Sequence, residues 1–422
     1  MKRFALALAL LWPVYTLLAA GHETQHSRNW PQWRGPSSNG AADEHANPPI
    51  EWSETKNVKW KTPLPGVGHS TPAVWQERIY VLSAAQNGGM FDFIVSAYNR
   101  SDGSEVWSKT AASLPPNEGG HRTNTLASAS AATDGSVLIA HFGSYGLFVY
   151  DLDGNLKWSK NLGKMRTRRG FGEGSSPALH GDTLLILWDH EGDSFIAAFN
   201  KNSGDEIWRE PRDEPTSWTT PLIVQRNGTA QAIVNGTNDI RSYDLSDGSL
   251  LWSCKGMTTN AIPSPVAKDN MVYLTSGFRG NALLAIDLDK AKGDITGTDA
   301  VVWQADRDTP YVPSPLLYQN ILYYHKRPAD ISARDALTGD LLFGPVGLDG
   351  AEDMIYASPS GAAGRVYIPT RDGFTFVLKA GPKFEMIGVN MLEDSFSASP
   401  IILGGDIYLR GEKSLYCLRM KE

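Results

Sequence analysis

Residues 243–252 read Tyr-Asp-Leu-Ser-Asp-Gly-Ser-Leu-Leu-Trp, and this stretch decides the fold. An aromatic residue and an aspartate precede a tight turn at Gly248, and Trp252 follows four residues after that glycine. The glycine supplies the positive φ that a short hairpin turn needs, and the aspartate can bond to its own backbone. The stretch therefore predicts two short strands joined by a turn, with the tryptophan on the second strand.

The same ending recurs along the chain, which indicates an internal repeat. The closings are Tyr98…Trp107, Tyr150…Trp158, Phe199…Trp208 and Tyr243…Trp252, with altered versions at Ile286…Trp303 and Asp335…Phe343. Each unit opens with a small residue, usually followed by proline, and the eight openings are Ser70-Thr71-Pro72, Ser128-Ala129-Ser130, Ser176-Pro177, Thr220-Pro221, Ser264-Pro265, Ser314-Pro315, Ser358-Pro359 and Ser399-Pro400. Four short strands per unit, repeated every ~40–50 residues, predict a β-propeller.

The number of openings predicts an all-β fold of eight four-stranded antiparallel blades. The last unit ends without an outermost strand, and Val58-Lys59-Trp60-Lys61 near the other end of the chain has the pattern of that strand. An N-terminal strand in the last blade would close the ring and leave no open sheet edge between first and last blades. Seven blades are the alternative, because the last two closings are degenerate. We expect the regular tryptophans to fill the wedges between neighbouring blades.

Composition and charge exclude several other classes of protein. The chain has 422 residues, with 41 Gly, 25 Pro and 13 Trp, and its formal net charge is −7. An acidic balance argues against a nucleic-acid partner. Two cysteines, Cys254 and Cys417, are too few for a disulfide scaffold or a cysteine zinc site.

The N-terminus has the pattern of a secretory signal peptide. Lys2 and Arg3 precede an apolar run, which ends in the small residues Ala19, Ala20 and Gly21. We expect a signal peptide at 1–21, an extended segment at 22–57 and the propeller at 58–422. No later window is apolar for the ~18 residues that a membrane span needs. The expected location is therefore the periplasm or the exterior of the cell, and we expect a monomer.

The closing with Thr338-Gly339 and its relatives resembles the repeat of the pyrroloquinoline-quinone-like (PQQ-like) propellers. This superfamily contains eight-bladed quinoprotein alcohol dehydrogenases and non-catalytic propellers, among them a subunit of the outer-membrane β-barrel assembly machinery. The segment Asn29 to Pro36 is similar to one found in uncharacterised exported bacterial members. Two features of the dehydrogenases are missing from the pattern. Adjacent cysteines are absent, and no Glu, Asn and Asp set for calcium falls on matching positions.

Loops that enter each innermost strand share one face with the loops between strands two and three, and we call this the top face. A ligand site is expected there, around the central channel. The candidate ligand-binding residues on these loops are His121, Arg122, Arg168, Arg169, Phe171, Glu173, Asp189, His190, Trp218, Arg279 and Tyr311.

The charges of these loops suggest two kinds of chemistry. A basic group with aromatic neighbours suits an anionic small ligand or an acidic protein segment, although such a group is more often a solvated loop. Asp189, His190 and Glu191 could bind a metal ion, but a short acidic turn is more often only a turn. We therefore predict no metal site and no catalytic residue.

The sequence favours an exported, non-catalytic propeller that serves as a binding or scaffold protein, with its ligand or partner on the top face. The partner is left open as an unknown protein or an anionic small ligand. The alternative is a PQQ-dependent oxidoreductase of the alcohol or sugar dehydrogenase type. In that alternative Arg168 or Arg169 binds the cofactor's carboxylates, Trp218 or Tyr311 stacks on it, and Asp189 or Glu173 acts as ligand or base. The role of Trp30 and Trp33 is also left open.

Overall fold

The computed structural model describes residues 28–326, 328–351 and 355–421. The predicted signal peptide at 1–21 lies outside these ranges. Within them the β-strands form eight separate sheets, seven of four strands and one of five, and the four blade strands of each sheet pair antiparallel. Among the described residues no helix has the length and hydropathy needed to cross a bilayer. Two short 3-10 helices lie in the loops of the propeller, at Gly143–Tyr145 and Arg168–Gly170.

The first half of the ring contains blades 1 to 4, and β1 (Val58–Pro63) precedes them. Blade 1 comprises β2 (Ala73–Trp75), β3 (Arg78–Asn87), β4 (Met90–Asn99) and β5 (Glu105–Leu114). Blade 2 comprises β6 (Ala132–Thr133), β7 (Leu138–His141), β8 (Leu147–Tyr150) and β9 (Leu156–Lys160). Blade 3 comprises β10 (Ala178–His180), β11 (Thr183–Trp188), β12 (Ser194–Asn200) and β13 (Glu206–Arg212). Blade 4 comprises β14 (Leu222–Arg226), β15 (Thr229–Val234), β16 (Ile240–Asp244) and β17 (Leu250–Cys254).

Blades 5 to 8 complete the ring. Blade 5 comprises β18 (Val266–Lys268), β19 (Met271–Ser276), β20 (Ala282–Asp287) and β22 (Val301–Ala305), while its inserted strand β21 (Gly293–Asp294) pairs with β17 of blade 4. Blade 6 comprises β23 (Leu316–Tyr318), β24 (Ile321–Tyr324), β25 (Asp330–Asp335) and β26 (Leu341–Gly347). Blade 7 comprises β27 (Ser360–Ala362), β28 (Arg365–Pro369), β29 (Phe374–Lys379) and β30 (Met386–Met391). Blade 8 comprises β31 (Ile401–Leu403), β32 (Asp406–Arg410), β33 (Ser414–Arg419) and β1.

The ring closes as the sequence predicted. Strand β1 pairs antiparallel with β33, with Trp60 opposite Cys417 and Lys61 opposite Tyr416. The prediction of eight blades is confirmed, and the alternative of seven is wrong because the two degenerate closings still fold into complete blades, which are blades 5 and 6. The innermost strands are short and mostly buried, whereas the outermost strands are largely exposed or half-buried. This pattern places the core between the blades.

Most of the repeated tryptophans join one blade to the next, although the indole of Trp252 bonds to Gln231 within blade 4. Trp107 of blade 1 lies on Gly154 of blade 2, where a Cβ atom would come within 2.8 Å of the indole ring. Its indole N–H donates a 3.1 Å hydrogen bond to the carbonyl of Leu152 in the same turn. The equivalent indole-to-carbonyl bonds run from Trp60 to Arg100, Trp158 to Lys201, Trp208 to Leu245 and Trp303 to Ala336. The glycine of each closing turn is therefore required for packing as well as for its positive φ.

The N-terminal segment, residues 28–57, crosses the bottom of the propeller. Trp30 exchanges two backbone hydrogen bonds of 2.8 Å with Val74 of the innermost strand of blade 1. The carbonyl of Pro31 accepts from Thr133 of blade 2, and Ala42 donates to Gly361 of blade 7. These backbone hydrogen bonds to the innermost strands of several blades attach the segment to the propeller.

Candidate functional site

A closed ring of hydrogen bonds surrounds the central channel. The backbone N–H of the Ser or Thr that opens each blade donates to the hydroxyl of its counterpart in the next blade. The order is Thr71, Ser130, Ser176, Thr220, Ser264, Ser314, Ser358, Ser399 and back to Thr71, with lengths of 2.7–3.1 Å. We call these residues the hydroxyl ring. A hydroxyl is needed because it accepts this bond in a buried place where a backbone N–H would otherwise be unsatisfied.

A cavity of about 300 Å³ lies at the centre of the top face, on the hydroxyl ring. Its wall includes the residue two positions before each ring residue, because alternate residues of an extended strand point to the same side. These eight wall residues are His69, Ser128, Gly174, Trp218, Ile262, Val312, Tyr356 and Ser397. Every blade therefore contributes to the cavity.

Aromatic side chains form two sides of this cavity. Phe171 lies between His121 and Trp218, with ring centroids 5.3 Å and 6.4 Å away. On another side Phe278 stacks on Tyr311, with centroids 5.1 Å apart and planes inclined by 21°. All five residues line the cavity, and Tyr356 extends the second group.

The N-terminal segment provides the floor of the cavity. Trp33 lines the cavity from below. It also lines a smaller pocket beside Pro177, Pro221 and Pro265, which directly follow members of the hydroxyl ring. Next to it the buried guanidinium of Arg34 donates to the carbonyls of Pro315 and Pro359 at 2.9 Å and 2.7 Å. Burial without a carboxylate among these partners lowers the pKa of Arg34 to about 9. This arrangement fixes the floor residue to blades 6 and 7.

Three polar atoms in the cavity wall have no hydrogen-bond partner within the described chain. They are Asn260 Oδ1, His69 Nε2 and Ser397 Oγ. The Asn260 residue is 1% exposed, and Glu412 Oε1 lies 3.8 Å from His69 Nε2, which is longer than a hydrogen bond. Burial lowers the pKa of His69, so its imidazole is neutral at pH 7. An unpaired buried polar atom costs about 1–3 kcal/mol, so these atoms mark where a ligand would be stabilised.

Glu173 lies between the main cavity and a smaller one of about 30 Å³. Burial raises the pKa of its carboxyl to about 7, although the backbone N–H of Ser144 donates to Oε2 at 2.7 Å. Gly143 has a φ of 55°, and a Cβ at that position would overlap Glu173 Oε2. His141 also lines the smaller cavity, and burial lowers the pKa of its imidazole to about 4. Both groups are therefore uncharged in mildly acidic solution.

The structure brings together five of the residues predicted from the sequence. His121, Phe171, Glu173, Trp218 and Tyr311 line the main cavity. The predicted arginines are not part of its lining, and they are Arg122, Arg168, Arg169 and Arg279. The first three lie on the entering loops beside the cavity, and the Arg279 guanidinium lies over the ring of Phe278 at 5.4 Å. The basic groups are thus at the rim and the aromatic groups are inside.

Asp189 and His190 lie outside the main cavity. The Asp189 carboxylate forms a fully buried bidentate ion pair with Arg212, at 2.8 Å and 3.2 Å, and accepts a further bond from Ser217. His190 Nδ1 accepts the backbone N–H of Arg166 at 3.1 Å. Both side chains therefore serve the local structure of the loops. The described residues contain no group of three His, Cys, Asp or Glu side chains arranged to bind a metal ion.

Several lining residues were not among the predicted site residues. They are Trp33, His69, Asn260, Phe278 and Tyr356. The sequence places His69, Asn260 and Tyr356 on the entering loops of the top face, but they were not selected as ligand-binding residues. Trp33 has no such signal, since it belongs to the segment that precedes the repeats.

Comparisons with known proteins agree with this architecture. A family profile described as outer membrane protein assembly factor BamB matches residues 49–186 and 192–346. The crystal structure of BamB from Moraxella catarrhalis is 14% identical, with a TM-score of 0.62, and the match covers 85% of this chain and 98% of that one. Quinohemoprotein alcohol dehydrogenase ADHIIG from Pseudomonas putida HK5 is 10% identical, with a TM-score of 0.61, and the match covers 94% of this chain and 80% of that one. The computationally designed protein Ika8 is 11% identical, with a TM-score of 0.55, and the match covers 89% of this chain and 100% of that one.

Identities this low show the fold alone. A comparison with curated protein sequences gave no match. The family profile, however, spans more than half of the chain. The chain therefore belongs to the family of PQQ-like β-propellers described as outer membrane protein assembly factor BamB.

Proposed function

We propose that this chain is an exported, non-catalytic binding or scaffold protein of the periplasm or the cell exterior, and that it receives its ligand or partner on the top face. The observation that carries the proposal is the cavity of about 300 Å³ on the propeller axis, to which all eight blades contribute. Its size is at the lower end of the ~300–1,000 Å³ typical of ligand sites. A rigid frame with recognition loops at one end is the usual organisation of a binding protein.

The two ends of the channel differ, which supports a role for the top face. Trp33 and Arg34 close the floor, and the backbone of their segment is bonded to the innermost strands. A ligand would therefore enter and leave by the top. The rim carries Arg122, Arg168 and Arg169, which suit an acidic segment of a partner protein.

Binding is favoured over quinone chemistry by the donor groups of the cavity. PQQ carries carboxylates and is bound together with calcium, which prefers several carboxylate and amide oxygens. The described lining contains one carboxyl group, that of Glu173, which is bonded to Ser144 and has a raised pKa. No lysine or arginine belongs to the lining to pair with the carboxylates of the cofactor. This set does not fit PQQ with calcium, and we propose no redox step at the cavity.

Site-specific photo-cross-linking in the native cell envelope tests the proposal. A photoreactive residue replaces Arg122 on the exposed rim of the top face, and in a matched variant it replaces Glu77 in the exposed hairpin turn between β2 and β3 on the opposite face. We expect discrete adducts from position 122 and none from position 77.

The same two variants also define the result that would contradict the proposal. Adducts from position 77 alone, or none from either position under conditions where both proteins are exported and folded, would refute a top-face binding role.

A further inference from the structure

The interior of the cavity differs in charge from its rim. Among its described lining residues Glu173 is the only one that carries a carboxyl, and none is a lysine or arginine. The remaining polar groups are hydroxyls, the amides of Asn124 and Asn260, and two imidazoles. Two charged side chains lie behind the lining, since the Arg371 guanidinium is 5.2 Å from the ring centroid of Tyr356 and Glu412 Oε1 is 3.8 Å from His69 Nε2. Neither belongs to the lining, so an ionic ligand would lose its hydration without an opposite charge in direct contact, which is unfavourable. The interior therefore suits an uncharged ligand.

The aromatic residues face each other across the axis. In a ring of eight blades, the loop entering blade 2 is opposite that entering blade 6, and blade 3 is opposite blade 7. His121 is thus opposite Tyr311, and Phe171 is opposite Tyr356. Two aromatic walls on opposite sides of the axis can cover the two faces of a ring-shaped ligand.

The ends of the space between these walls are polar and unsatisfied. His69 precedes blade 1 and Asn260 precedes blade 5, which is diametrically opposite. Asn260 Oδ1 and Ser397 Oγ have no hydrogen-bond partner in the described chain, and His69 Nε2 has only the carboxylate of Glu412, at 3.8 Å. The Asn260 side chain also interacts with the phenol of Tyr311. The hydroxyl ring lies below, and each of its hydroxyls has a proton left to donate after accepting its backbone N–H. Neutral hydroxyl groups on the ligand would satisfy all of these atoms.

We propose that the cavity binds a neutral saccharide of one or two pyranose rings, with its faces between the aromatic walls and its edge hydroxyls bonded to Asn260 and His69. This inference rests on the proposed function, because it identifies the ligand of the same cavity. It differs from the expectation of an anionic ligand because the arginines that prompted that expectation are at the rim. The saccharide is bound without covalent change.

Ligand-observed NMR with purified protein tests the inference. The probes are glucose, galactose, N-acetylglucosamine and cellobiose, with glucose 6-phosphate as an anionic counterpart and choline as a cationic one. We expect at least one neutral saccharide to bind, and the charged probes to bind more weakly than that saccharide.

Three variants locate the binding. Asn260 has a φ of 62°, which glycine and aspartate tolerate, so both substitutions keep the backbone. Asn260→Gly removes the acceptor oxygen and should weaken saccharide binding about tenfold, equivalent to the loss of about one good hydrogen bond. Asn260→Asp keeps an acceptor oxygen and should weaken binding less than Asn260→Gly does. Lys157→Ala removes an exposed charge on the outermost strand of blade 2, away from the cavity, and should leave the affinity unchanged.

The inference is overturned if none of the neutral saccharides binds, if a charged probe binds more tightly, or if saccharide binding is unaffected in Asn260→Gly. The proposed function is judged separately by the adducts from position 122. If these persist while the saccharides fail, the cavity has a different ligand and the binding role stands. If both fail, neither proposal stands.

Discussion

The backbone N–H of Ser399 donates a 3.1 Å hydrogen bond to the hydroxyl of Thr71, and this bond joins the last blade to the first. Thr71 in turn donates its own N–H to Ser130 at 2.9 Å, so its hydroxyl is one link in a continuous circle. Closure of the propeller thus has two parts. Strand β1 completes the outer edge of blade 8, and the hydroxyl ring completes the inner edge.

Removing one hydroxyl from the ring should destabilise the protein. Thr71→Val keeps the shape of the side chain but leaves the buried N–H of Ser399 without an acceptor. The expected loss is about 1–3 kcal/mol of unfolding free energy. Chemical denaturation measures it, with Thr71→Ser as the control because serine keeps the hydroxyl. Equal stability of the valine and serine variants would show that the ring bond contributes nothing.

Arg34 should control whether the N-terminal segment stays on the propeller. In Arg34→Met the carbonyls of Pro315, Pro359 and Asn39 lose their donor, although a buried charge is also removed. We expect faster proteolytic cleavage within residues 28–57. Lys56→Met, which removes only an exposed ion pair with Glu51, is the matched control. The account is wrong here if both variants resist the protease as well as the wild type does.

Gly143 and Glu173 should be energetically coupled. In Gly143→Ala the new methyl group overlaps Glu173 Oε2, and the φ of 55° adds backbone strain. We expect a loss of stability in Gly143→Ala that is smaller when Glu173→Ala is already present. A double-mutant cycle measures this coupling, and for residues in contact it is typically about 0.5–3 kcal/mol. Strict additivity of the two substitutions would contradict the contact.

Glu173 should also make stability depend on pH. Its pKa is 4.5 in the unfolded chain and about 7 in the folded protein, so the folded state binds the proton more tightly. The stabilisation is complete below the lower value and is lost as the pH rises through the higher one. Glu173→Gln mimics the protonated carboxyl and should remove this loss. Melting temperatures at about pH 5 and about pH 8 give the test. The same pH dependence in wild type and variant would exclude Glu173 as its source.

Much of the fold could be predicted from the sequence because every blade repeats the same local chemistry. The turn at Gly248 and the pattern of Val58 to Lys61 were sufficient to predict the blades and their closure. The opening residues Thr71 and Ser399 were recognised as a repeat, but their hydrogen bonds were not, since a ring across all blades is visible only in three dimensions.

The candidate site was less predictable because its loops do not repeat. Asp189 was considered as a ligand or base, yet it pairs with Arg212, 23 residues away in sequence, inside the protein. Trp33 belongs to a segment with no strand pattern, and its position under the cavity depends on contacts with innermost strands far along the chain. Sequence reasoning placed residues on the top face but could not separate rim from interior.

A calorimetric titration of the mature protein with PQQ and calcium tests most directly the claim that the cavity serves binding without quinone chemistry. We predict no heat of binding, because the described lining offers one carboxyl group and no lysine or arginine. Micromolar or tighter binding that is lost in Trp218→Ala and in Glu173→Gln would contradict it and would assign the cavity to a quinone-dependent oxidoreductase.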